Sequence, residues 1–208
     1  MPRVTSAARL PNWFGLYVSL EDSARTIRQY EPESIPGLLQ TRAYAEEVTS
    51  APRGLINGQE VERRVNVRMA RQSLLTNPRP PHLSVILNEA VLRRKVGGPK
   101  VMVEQLMHLI DVSRSLSVMI RVLPFDAGAH GGMTSAFTIL DFPQAARSKE
   151  PLEPPLVYVD SLTGALYLNK PSEVQAYELA WDDLGNRALD EDASRKRITE
   201  ALEEFGNG

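Results

Sequence analysis

Leu83-Ser84-Val85-Ile86-Leu87 follows a hard break, Asn77-Pro78-Arg79-Pro80-Pro81, and is rich in β-branched and aliphatic residues. A run this short, bounded by prolines, reads as a buried strand rather than a helix. If the chain stays extended, Leu83, Val85, Leu87 and Glu89 share a face, and Glu89 stands at the strand's end. Lys100 to Arg114 then repeats Met102, Leu106, Leu109, Ile110 and Ser113 on one side, the spacing of an amphipathic helix. Val118 to Leu123 is a second apolar strand, and Pro124 ends it. Strand, helix and strand in this order predict a right-handed parallel crossover.

Outward from that unit, more elements follow the same logic. Downstream, residues 135–142 alternate, with Phe137 and Ile139 on one face and Thr138 and Leu140 on the other. Residues 143–155 carry four prolines and several charges and read as a mobile loop. Strands are expected at 156–160 and 165–168, with Tyr158 and Asp160 on a common face. Ser172 is the expected cap of a helix over 172–189, striped by Val174, Tyr177, Trp181, Leu184 and Ala188, and a shorter terminal helix carries Ile198, Leu202 and Phe205. Upstream, Leu16, Leu20, Ala24 and Ile27 predict one helix over 12–30, with Trp13, Phe14 and Tyr17 packed in its first turn. Pro36-Gly37 is a turn, Thr41 an N-cap, and residues 59–75 a helix after a loop at 50–58. Residues 1–11 read as a flexible arm and 12–208 as one domain. The expected fold class is α+β: a single domain with a central mixed sheet, a strand–helix–strand crossover and packing helices.

Composition narrows the function. Among the 208 residues, 42% are hydrophobic and 24% charged, the balance of an ordinary globular chain. The net charge of -2 creates no field that favours nucleic acid. There is no cysteine, which removes disulfides, thiolate metal sites and thiol nucleophiles and suits a reducing cytoplasm. No apolar run is long enough for a membrane span. Gly97-Gly98 lacks a phosphate-cradling context, and neither a nucleophile elbow nor a metal-ligand spacing appears, so no cofactor or metal is expected.

The residues with chemical capacity are few. On the helix over 59–75, Val61, Val65 and Met69 form the apolar stripe, and Arg68 and Gln72 fall in or beside it. A guanidinium facing the core requires a carboxylate such as Glu89, a cluster of carbonyls or an anionic ligand. Gln105 lies at the flank of its helix, in reach of a cleft. His130 sits in the Gly-rich loop Phe125-Asp126-Ala127-Gly128-Ala129-His130-Gly131-Gly132, as loop residue or as acid, base or ligand contact. Arg68, Gln72, Glu89, Gln105, His130 and Tyr158 are therefore the ligand-contact candidates. Of these, Arg68 and Gln72, Glu89 and His130, from three separate segments, are expected to meet in one cleft if the Gly-rich loop and Glu89 share an edge of the sheet.

One string is more specific than its chemistry. Ile35-Pro36-Gly37-Leu38-Leu39-Gln40-Thr41-Arg42-Ala43-Tyr44-Ala45 resembles the opening of the C-terminal domain of actinobacterial Xre-type helix-turn-helix regulators. Trp13, Glu21, Ala24 and Tyr30-Glu31 match upstream. Arg68-Met69-Ala70-Arg71-Gln72, Leu87 to Arg94, Gln105-Leu106, Val122-Leu123-Pro124, Phe137 and Val157-Tyr158-Val159 match downstream, in order. The resemblance implies a regulatory domain, at home in the cytoplasm, that senses a small molecule or a partner protein, with a homodimer compatible. Met1 lies only about a dozen residues before Trp13, so direct DNA binding is not expected. The alternative is a metal-free enzyme of cyclase or isomerase type, co-opted from such a domain in secondary metabolism, with Glu89, His130 and Asp160 as catalytic candidates.

Overall fold

Thr26-Ile27-Arg28-Gln29-Tyr30-Glu31, expected as the end of the first helix, forms the strand on which the sheet is built. The computed structural model describes residues 12–51, 56–144 and 153–207. The arm at 1–11, the side chain of Trp13 and parts of the loops at 50–58 and 143–155 lie outside these residues. The first helix, α1 (Asn12–Ser23), ends where the Ser23 hydroxyl turns back to the Ser19 carbonyl. The chain then enters β1 (Thr26–Glu31). Ile27 and Tyr30 are three apart, which suggests a helix, but an odd separation also puts two side chains on opposite faces of a strand. Both are fully buried, Ile27 at 0% exposure and Tyr30 at 1%, as a strand covered on both sides requires.

The remaining elements follow in order: α2 (Arg42–Ser50), α3 (Gly58–Arg71), β2 (His82–Asn88), α4 (Glu89–Arg93), α5 (Pro99–Val112), β3 (Val118–Leu123), β4 (Phe137–Asp141), β5 (Leu156–Ser161), β6 (Gly164–Leu168), α6 (Pro171–Arg187) and α7 (Glu191–Gly206). Single 3-10 turns occupy Gly37–Leu39, Gln72–Thr76 and Phe125–Ala127. The helix expected to 75 therefore changes to a tighter turn after Arg71. Lys170, not Ser172, is the N-cap position of α6, because Pro171 takes the first helical place.

The six strands form one mixed sheet in the order β3-β2-β1-β4-β5-β6. β1 is parallel to β2, and β2 to β3, so β2–α4–α5–β3 is the expected parallel crossover. β1 is antiparallel to β4, β4 to β5, and β5 to β6. The α+β architecture with a central mixed sheet is thus as read from the sequence, with one strand more. On one face Ile27, Leu83, Val118 and Leu140 pack under Met102, Leu106 and Leu109 of α5 and Ile198 and Phe205 of α7. On the other, Tyr30, Ile86, Phe137 and Ile139 pack against Val174 and Leu184 of α6. The Gly-rich loop closes over that second face. A Cβ on Gly132 would stand 2.5 Å from the Tyr30 ring, so only glycine fits there.

The segment Ile35 to Thr41 links β1 to α2 deep in the molecule, and three glutamines pair its backbone. Gln40 donates to the Ile35 carbonyl at 2.6 Å. Gln72 donates to the Gln40 carbonyl at 2.6 Å and to that of Gly37 at 3.3 Å. Gln105, at 0% exposure, donates to the Leu39 carbonyl and accepts from the Thr41 N–H, both at 2.8 Å. Thr41 caps α2 as expected, accepting from the Tyr44 N–H. Replacing Gln105 by Leu leaves a carbonyl and an N–H buried without partners. Each such group costs about 1–3 kcal/mol, and the urea-unfolding midpoint of Gln105→Leu is expected to fall accordingly.

Candidate functional site

The face of the sheet that carries Ile27 continues along β1 as Gln29 and Glu31. The register places Thr138 opposite Gln29 and Tyr158 opposite Thr138. Strand alternation therefore turns an apolar row, Leu83, Ile27 and Leu140, into a polar floor of Gln29, Glu31, Thr138, Tyr158 and Asp160. Above this floor stand Phe14, Tyr17 and Glu21 of α1, Arg68 and Arg71 of α3, and Gly37 and Leu38 of the 3-10 turn. Between floor and roof lies a cavity of about 240 Å³.

Two arginines one helical turn apart meet different fates in it. Arg71 makes a forked pair with Glu21, with Nε–Oε2 at 3.0 Å and Nη2–Oε1 at 2.8 Å, and the carboxylate side chain is only 3% exposed. Its guanidinium also lies 5.0 Å from the Phe14 ring centroid and 5.5 Å from that of Tyr17, so α1 is tied to α3 by charge and by ring faces together. Arg68 donates one N–H, from Nη1, to Gln40 Oε1 at 2.6 Å. Among the described residues no carboxylate comes within ion-pair distance of it. Burial, reinforced by the neighbouring Arg71 charge, lowers its pKa to about 10.

The acidic and phenolic groups are tuned the other way. Burial pushes the Glu31 carboxyl up to about 8, and Asp160 adds to this against the opposing hydrogen bond from Gln29 and the charge of Arg68. Gln29 Nε2 donates to Glu31 Oε1 at 2.8 Å. Asp160, exposed at the mouth, is also raised, by partial desolvation. Tyr158 stacks 4.1 Å from Tyr17, centroid to centroid, and burial raises its pKa. Its hydroxyl is buried and, among the described residues, has no hydrogen-bond partner. The arrangement offers a ligand a guanidinium, a phenol and a carboxyl that holds its proton at neutral pH. Among the described residues no group of three or more His, Cys, Asp or Glu is placed to hold a metal ion.

Of the residues singled out from sequence, Arg68, Tyr158 and Asp160 line this cavity. Gln72 and Gln105 do not; they pair the backbone of the turn that roofs it. Glu89 is elsewhere. It is the first residue of α4 rather than an extension of the β2 face, since Asn88 caps the helix there. Its carboxylate accepts from Arg197 at 2.6 Å, from Arg93 and from the Phe125 N–H, so it is not the partner of Arg68. His130 lies on the opposite face, edge-on to Tyr30 with centroids 5.9 Å apart, and its Nδ1 accepts from the Gly132 N–H. The expected convergence of Arg68, Glu89 and His130 in one cleft is not what the fold produces. β1 crosses the middle of the sheet and keeps the Gly-rich loop on the far side. Reading β1 as helix hides its alternation and with it Gln29 and Glu31, whereas Glu21 and Arg71 lie on α1 and α3 and meet only through the tertiary fold. Ile27, Gln29 and Glu31 at every second position were the available signal.

A family model described as "Domain of unknown function (DUF5753)" matches residues 14–200. The chain belongs to this family. No curated protein and no solved structure matches it.

The two arginines separate on mutation. Arg71→Met strands the buried Glu21 carboxylate and is expected to cost about 3–5 kcal/mol in chemical unfolding. Arg68→Met loses one charge-assisted hydrogen bond to Gln40 and no ion pair, and is expected to cost about 1–3 kcal/mol, less than Arg71→Met.

Stability should also depend on pH through Glu31. Folded, it holds its proton up to about pH 8, whereas an unperturbed glutamate loses it at 4.5. Between those values the unfolded chain binds fewer protons, so stability falls as pH rises across the window and levels off above it; Asp160 acts in the same direction. Glu31→Gln removes the Glu31 contribution, and urea midpoints at about pH 5.5 and about pH 9 are expected to differ less in the variant than in the parent.

Proposed function

We propose that this DUF5753 domain is a regulatory sensing domain whose small-molecule ligand occupies the cavity between α1, α3 and the sheet. The observation that carries the reading is the hydroxyl of Tyr158, a residue that lines the cavity: it is buried and has no hydrogen-bond partner among the described residues. A buried hydroxyl left unpaired costs free energy, and a ligand acceptor or donor there removes the cost. The resemblance to the effector half of Xre-type regulators supports the same role, in the cytoplasm, and the net charge of -2 gives no field that would favour nucleic acid. In such a regulator the DNA-binding half precedes α1 in sequence. Because α1 forms a wall of the cavity, occupancy would alter the helix nearest that half.

A second reading, a metal-free enzyme, draws on Glu31, since a carboxyl protonated at neutral pH can act as a general acid. Turnover of a bound compound, lost in Glu31→Gln, would favour it.

The sensing reading is tested by screening small polar fragments with thermal unfolding and amide chemical shifts, on the parent and on Ala136→Trp, which fills the cavity. A fragment present at about a hundredfold over its Kd is expected to stabilise the parent by about 2.7 kcal/mol and the filled variant not at all. Fragments that bind both proteins equally, or none that bind the parent, would refute the reading.

A further inference from the structure

What remains uncommitted in the cavity is mostly donor capacity. A guanidinium has five N–H donors, and Arg68 spends one on Gln40. The Tyr158 hydroxyl is unspent. Arg71 is neutralised by Glu21, and the Tyr17 hydroxyl is engaged by Glu21 and Thr138. Asp160 stands at the exposed mouth, where water screens it. The inner end is therefore positive, and the walls beside it include the rings of Phe14 and Tyr17. The cavity, about 240 Å³, has room for one ring with one acidic group.

We infer that the cavity takes a compact monocarboxylic acid with a single ring or short apolar body, its carboxylate bound by the free N–H groups of Arg68 and the hydroxyl of Tyr158. This rests on the cavity being a ligand site at all. Guanidinium and carboxylate match as planar forks, which gives orientation as well as attraction. An amine would meet the Arg68 charge at the inner end, and a neutral amide would forgo the charge-assisted bonds.

Binding is coupled to protons through Glu31. The charged and titratable groups that face it are Arg68 and Arg71 from α3, the latter held by Glu21 of α1, with Asp160 and Tyr158 from β5, Tyr44 from α2 and the adjoining Tyr30. While Glu31 holds its proton, Arg68 is free for the ligand carboxylate. Once Glu31 ionises it competes for that guanidinium and repels the anion, so affinity falls as pH rises.

Benzoate, benzamide and benzylamine test this as near-isosteric probes, titrated by ligand-observed NMR against the parent, Arg68→Met, Tyr158→Phe, Glu31→Gln and Ala136→Trp, each checked for folding by circular dichroism. Benzoate is expected to bind the parent at least about tenfold more tightly than benzamide, with charge-assisted bonds worth roughly twice neutral ones. Arg68→Met should erase that preference and Tyr158→Phe weaken benzoate several-fold. Benzoate affinity should drop above about pH 8 in the parent and hold in Glu31→Gln. Benzamide or benzylamine binding as well as benzoate, and lost in Ala136→Trp, overturns the carboxylate assignment and leaves the sensing reading standing. Benzoate binding that survives both Arg68→Met and Ala136→Trp puts the anion elsewhere and also overturns it. If none of the three binds, the carboxylate assignment fails, and the fragment screen decides the sensing reading separately.

Discussion

A connection buried in a protein interior must satisfy its own backbone, and the stretch from Ile35 to Thr41 does so with one side chain of its own and two from distant places. Gln40, Gln72 and Gln105 each give an amide where a strand or helix would have given a ladder. An amide can donate and accept at once without charge, which suits a site where an ion would be costly. This lattice fixes β1 relative to α2, seats the end of α3 on the turn, and ties both to α5. The roof of the cavity is where it is because the turn has no cheaper way to be buried.

The cavity itself follows from parity. The same face of β1 that buries Ile27 in hydrocarbon presents Gln29 and Glu31 two and four residues further along, under α3. Helix periodicity then brings Arg68 and Arg71 to the same side, three residues apart. One is consumed in holding α1 and the other is left with most of its donors. Structural and ligand-facing roles are thus distributed over a single helical turn, and the division is set by where Glu21 reaches.

Much of the fold was legible because most of its strands are short apolar runs closed by proline or glycine, and periodicity separates those from the helices between them. β1 was the exception. It carries charged and polar residues at alternate positions inside the sheet, and its two core residues fall at a spacing shared by helix and strand. Read as helix, it conceals the polar floor, and the expected cleft then draws on residues from opposite faces. Arg68, Tyr158 and Asp160 were still picked out, Arg68 because a guanidinium on an apolar stripe demands a partner. Glu89 was misplaced for a related reason: a strand face was extended one residue into a helix cap.

β1 is hydrogen-bonded to β4, with Arg28 reaching Asp141 across 113 positions of chain. During synthesis the first three strands in parallel array can assemble early, but the centre of the sheet keeps an open flank until the last third of the protein arrives. The polar floor is completed later still, when β5 emerges. Long-range closure of this kind slows folding and prolongs exposure of a β-rich edge. The nascent chain is thus expected to pass its most aggregation-prone interval between the completion of β3 and the docking of β4, a period when holding chaperones would have the most to protect.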